Sequence, residues 1–169
     1  MLLLVAPAVD ADPEADADIL LIRRVDRGGH HSGQIAFPGG RSEPEDAGPV
    51  ETALREANEE VGLDGAAAGI RVIGLLEEFW IPVSGYRVMP VLAIATRRPA
   101  LVAAEAEVAE LLWAPLDAFL PGATIEIVET TVKMPSGSFP LRFGAYMIDG
   151  HRVWGATARI LGQLGALLA

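Results

Sequence analysis

The chain has 169 residues, 51% hydrophobic and 21% charged, with a net charge of -10 and no cysteine. A chain near this length buries roughly 70% of its unfolded surface around one core, so one domain over residues 1–169 is expected and disorder is excluded. Without cysteine there are no disulfides or thiolate metal sites, and the negative field disfavours nucleic acid, leaving a small anion as substrate where bound cations reverse the local potential.

The longest apolar run, Met1 to Val9, is far shorter than a membrane helix and lacks the flanks of a secretory signal. No membrane partner and a cytoplasmic location are therefore expected. Leu2 to Val9 and Ile19 to Arg24 read as strands joined through an acidic loop, Asp10 to Asp18, expected as a solvated hairpin tip. Gln34 to Phe37 is a short extended piece ending at Pro38-Gly39-Gly40, where the chain must turn. Pro49 to Val61 carries Val50, Ala53, Leu54, Ala57 and Val61 at helical spacing, with Pro49 in the first turn and Gly62 at the stop.

Ile70 to Leu76 and Tyr86 to Thr96 read as central strands joined through Glu77 to Gly85. Glu105 to Trp113 and Leu116 to Leu120 form a strand-and-helix passage. A hairpin is expected from Ile125 to Val132 and Phe139 to Phe143 around Pro135-Ser136-Gly137, with Pro140 at an edge. From Gly155 onward, Ile160, Leu161, Leu164, Leu167 and Leu168 define a closing amphipathic helix. These elements predict an α/β fold, a mixed, hairpin-containing sheet between helical layers in an α/β/α sandwich.

The chemistry concentrates in Arg55 to Leu63, where Glu56, Glu59 and Glu60 share one side of the helix. Like charges at that spacing cost roughly 0.2 to 0.5 kcal/mol per pair, and the final helical turn already disfavours anions. A divalent cation relieves both costs, since carboxylate oxygens suit magnesium or manganese. Three glutamates taken alone also fit a solvated acidic face.

Gly40, an acidic loop, and then Arg55-Glu56 through Gly62-Leu63 resemble the Nudix box, in which a glycine and acids precede R-E-U-x-E-E-x-G-U, U being aliphatic. Ala57 serves as the first aliphatic. The resemblance implies a Nudix-type fold and hydrolysis of a small-molecule diphosphate with Mg2+ or Mn2+. It implies Glu56, Glu59, Glu60 and the Gly40 carbonyl as metal ligands, and Arg55 as the residue that orients the acids. The family's upstream glutamate falls here at Ala47, and Asp46, through a loop one residue longer, is the candidate for its place. Glu59 or Glu60, or Glu107 or Glu110 from a loop, can accept the proton of the attacking water.

Leu20 to Arg24 with Gly33 to Gly40, Ser84 to Val91, and Val153 to Leu161 resemble the coenzyme A pyrophosphatase branch of that family. The branch implies cleavage of coenzyme A or a derivative to 3',5'-adenosine bisphosphate and 4'-phosphopantetheine. Arg24, Gln34, Phe37 and Tyr86 are the candidate substrate contacts, with Phe79 and Trp80 as further aromatics. Ile22, Val25 and Gly29 stand where the branch has Thr, Ser and Arg, so Arg23, Arg27, His30 or His31 would have to supply an anion contact. The missing Ser and Arg favour ADP-ribose or NADH as alternative substrates, and a nucleotide sensor without hydrolysis is a further reading. A second copy of the chain, in a homodimer, is the candidate protein partner.

Overall fold

The computed structural model describes residues 1–9, 16–28, 32–82, 84–134 and 137–169. Its main sheet has six strands: β1 (Leu2–Pro7), β2 (Ala17–Arg24), β3 (Ile35–Ala36), β4 (Ile70–Leu75), β7 (Val91–Ala95) and β8 (Val108–Pro115). β1 pairs antiparallel with β2 and parallel with β7, and β4 closes one side antiparallel to β7. β8 runs antiparallel along β2 on the edge opposite β1 and β3. The sheet is therefore mixed. A small antiparallel pair, β5 (Phe79–Ile81) with β6 (Tyr86–Val88), and a three-stranded sheet of β9 (Glu126–Met134), β10 (Gly137–Ile148) and β11 (His151–Val153) complete the strands.

Helix α1 (Pro49–Val61) has the expected bounds. Proline occupies its first turn, and Gly62 ends it at φ 64°, a left-handed conformation that a side chain resists. It buries Ala53, Ala57 and Val61 on the sheet face that carries Leu2, Leu4, Leu20, Ile22, Val91 and Ala93. The opposite face, with Leu3, Ile19, Leu21, Ile35 and Phe37, packs against α3 (Gly155–Leu167) through Ile160, Leu161 and Leu164. Alternation along β1 and β2 supplies both faces, because successive strand residues point oppositely. The result is the α/β/α layering expected from the sequence.

Four local expectations need correction. Tyr86 to Thr96 is two strands in two sheets, because Met89-Pro90 interrupts the ladder where proline has no N–H to donate. β4 is an edge strand rather than a central one. Leu167 at the end of α3 and Leu168 just after it are exposed rather than part of the buried stripe. β10 lies between β9 and β11, although β11 reaches only Tyr146–Ile148, which leaves an open edge at Pro140. The short helix α2 (Gly65–Ala68), capped by the Asp64 carboxylate, was not anticipated. Most of the acidic tip, Gly29, His30, His31, and the Pro135-Ser136 turn lie outside the described residues.

Candidate active site

The glycine pair after β3 lies against the second half of α1. A β-carbon on Gly40 would fall 2.4 Å from both Glu56 carboxylate oxygens, so a side chain there would push that carboxylate aside. The Gly39 N–H donates to Glu60 Oε2 at 2.8 Å, and Arg24 Nη1 donates to Glu60 Oε1 at 3.3 Å. Glu60 is therefore buried with both oxygens occupied. Burial pushes its carboxyl above the ordinary range, against the opposing pull of the Gly39 N–H and Arg24.

Arg55 organises the other acids. Its Nε and Nη2 donate to Asp46 Oδ1 and Oδ2 at 3.0 and 3.1 Å, a bidentate fork. Its Nη1 donates to Glu56 Oε1 at 3.2 Å and to Glu59 Oε2 at 3.0 Å, placing one cation between the two carboxylates. Asp46 also accepts from Thr52 Oγ1 and from the Glu43 N–H, and the Arg55 fork holds its carboxyl well below the usual carboxylate range. Glu59 remains open, with 56% of its side chain exposed. Among the described residues no three acids or histidines converge into a ready-made metal cage.

The loop after residue 101 closes the end of α1. Val102 and Ala104 N–H groups donate to the Val61 and Glu60 carbonyls, satisfying orphan acceptors of the acidic final turn. The same loop brings Glu107 beside Arg24 and Arg27, around a cavity of about 160 Å³. Glu110, in contrast, accepts from Arg23 Nε at 2.8 Å on β8, and that contact lowers its pKa. A wider apolar groove of about 900 Å³ runs past Val50, Leu54 and Leu63 but does not include Glu56, Glu59 or Glu60.

The candidate substrate contacts separate. Phe37 is fully buried in the core beneath α3, so its ring faces no ligand, which corrects its expected role as a substrate contact. The aromatic followed by Pro-Gly-Gly anchors the turn from inside. Phe79 is likewise core, under the Arg159 guanidinium, and Trp154 stacks on Phe143 at 4.8 Å. Tyr86 is 41% exposed, and its hydroxyl accepts from Arg41 Nη2. Gln34 is half-buried beside β2, where its carbonyl accepts from the Arg24 N–H. Ile22 is buried, Arg23 is taken by Glu110, and the Arg27 guanidinium donates to the Ala106 carbonyl. Sequence reasoning overlooked Arg41 and the Gly39 N–H. A cation directly after the glycine pair was the available signal for the first.

A model of the NUDIX domain matches residues 4–131. The Nudix hydrolase NudL of Yersinia enterocolitica is 34% identical over 146 residues, 86% of this chain and 71% of that protein. NudL of Photorhabdus laumondii is 33% identical over 86% of this chain and 74% of its own. Among solved structures, the Nudix hydrolase RenU of M. smegmatis aligns with a TM-score of 0.54 at 30% identity, covering 69% of each chain. A MutT/nudix family protein from Enterococcus faecalis shares the fold with a TM-score of 0.55 at 18% identity, over 99% of this chain and 61% of that one. The chain belongs to the NUDIX domain family and is a Nudix hydrolase.

Proposed function

We propose that this Nudix hydrolase cleaves the diphosphate bond of coenzyme A or a derivative, using Mg2+ or Mn2+, to give 3',5'-adenosine bisphosphate and 4'-phosphopantetheine. The observation that carries the hydrolytic reading is the space that Gly40 leaves for the Glu56 carboxylate. All-oxygen donors on one side of α1 fit a hard divalent cation, and magnesium characteristically takes few carboxylates plus water and substrate phosphates. Substrate phosphate oxygens and water would then supply the ligands that the described residues do not. Glu56, Glu59, Glu60 and the Gly40 carbonyl would hold the ion, with Glu60 first giving up its Arg24 contact. When bound, the ion supplies charge neutralisation at phosphate and a lowered pKa for water.

The chain's own residues then have separable tasks. Glu59, exposed and held by a single contact to Arg55, is our choice for the base that takes the proton of water. Glu107 is the alternative, at the rim of the Arg24 cavity. Arg55 orients Glu56 and Glu59, and Asp46 fixes Arg55 in place of the family's upstream glutamate. Arg24, Gln34 and Tyr86 are retained as substrate contacts.

The coenzyme A assignment rests on the stretches Leu20–Arg24, Gly33–Gly40, Ser84–Val91 and Val153–Leu161. ADP-ribose or NADH is the second reading, favoured by Val25 and Gly29 standing where the branch has Ser and Arg. Incubation with coenzyme A, ADP-ribose, NADH and diadenosine polyphosphates, with product identification, tests both. Turnover of coenzyme A to the two stated products is expected; turnover of another substrate with coenzyme A untouched overturns the assignment.

A further inference from the structure

We infer that Arg41 anchors a phosphate oxygen of the substrate and that Tyr86 is the positioning residue that presents it, an inference resting on the diphosphate reading above. Arg41 follows Gly40 directly, and its carbonyl accepts from Arg55 Nη2 at 2.9 Å. Its main chain is thus tied to the same guanidinium that contacts Glu56 and Glu59. Arg41 stands at the rim of the acidic site.

Its charge is unusual there. Arg24 pairs with Glu60, Arg55 with Asp46 and Arg23 with Glu110, whereas no carboxylate of the described residues lies within ion-pair distance of Arg41. Its guanidinium instead rests over the Tyr86 ring, 5.0 Å from the centroid, and donates to the Tyr86 hydroxyl. A guanidinium has five N–H donors in a planar fork, and among the described residues Tyr86 engages one of its nitrogens, which leaves further donors for a ligand. Stacking on an aromatic face restricts the plane without neutralising the charge. In a chain of net charge -10, a guanidinium with no carboxylate partner among the described residues, carried by the residue next to Gly40, is the natural first contact for a phosphate entering the site.

A strap that merely ties the β5–β6 pair to the glycine loop would use the same contacts, so the test must separate binding from stability. Steady-state kinetics on whichever diphosphate the panel identifies, with melting curves alongside, make that separation for Arg41→Ala, Arg41→Lys, Tyr86→Phe and Tyr86→Leu. Arg41→Ala is expected to raise KM about tenfold to hundredfold, the size of a lost charge-assisted contact, with kcat within about threefold. Lysine restores only part of the loss because it lacks the fork. Tyr86→Phe retains the ring and has a smaller KM effect than Tyr86→Leu. A lowered melting temperature with unchanged KM in Arg41→Ala overturns the inference. If the wild-type chain hydrolyses no member of the panel, the catalytic reading falls first. Calorimetric titration with coenzyme A and ADP-ribose then decides the anchor: weaker binding by Arg41→Ala supports it, and no binding, or binding that Arg41→Ala leaves intact, overturns it.

Discussion

The two faces of the main sheet are packed by different means. Beneath α1 small side chains, Ala36, Ala53, Ala57, Ala93 and Ala95, are interleaved with Leu2, Leu4 and Leu20. Beneath α3 the core is filled by Phe37, Phe119, Tyr146, Ile160 and Leu161, with Phe119 and Tyr146 edge to face at 5.1 Å. Small residues let a helix approach a sheet closely, and here they bring α1 near enough for Glu60 to reach the Gly39 N–H and Glu56 to face Gly40. The bulky face stabilises without chemistry. One sheet thus carries precision on one side and volume on the other.

That contrast predicts where substitutions will act. The largest effect is expected from Glu59→Gln, which should lower kcat by about a thousandfold or more, in the range of a lost general base, with an unchanged melting temperature; near-normal turnover would remove Glu59 from the chemistry. On the opposite face, Phe37→Ala should cost about 3 to 5 kcal/mol of stability while the folded enzyme keeps its kcat and KM. Denaturant titration reads the first and kinetics below the melting range the second, and a selective KM change would restore Phe37 as a substrate contact. Gly40→Ala returns to the α1 face: pushing the Glu56 carboxylate aside should reduce kcat about a hundredfold, with little change in secondary structure by circular dichroism.

The smallest effect is expected from Asp46→Asn, and it depends on pH. The Arg55 fork lowers the folded-state pKa of Asp46, so its contribution is fully present above the ordinary value of 3.8 and is lost as pH falls below it toward the folded-state value. The variant should melt below wild type at pH 7, and the gap should close in acid below 3.8. A gap that stays constant across that window would show that the Asp46 charge does not support the loop.

The sequence announced α1 well, since Pro49, the apolar spacing and Gly62 each act locally and agree. β7 and β4 were harder, because apolar runs reveal burial without naming the neighbouring strand. Only the Pro90 break separates β6 from β7, and its consequence depends on which sheet each half joins. At the site, the helical spacing of Glu56, Glu59 and Glu60 was legible, but their environments were not. Glu60 is sealed by Gly39 and Arg24, while Glu59 stays open, because contacts from distant segments decide exposure. Phe37 misled for the same reason. Its position beside Pro38 and Gly39 placed it near the turn, yet strand alternation sent its ring to the other face of the sheet.

On the reading that Asp46 stands for the family's upstream glutamate, reach along the backbone would offset reach along the side chain. A carboxylate one methylene shorter than glutamate, carried one residue farther from the arginine, still closes a two-pronged clasp on the guanidinium. Patterns written as fixed intervals will undercount such chains, whereas a pattern written as which groups must touch would retain them.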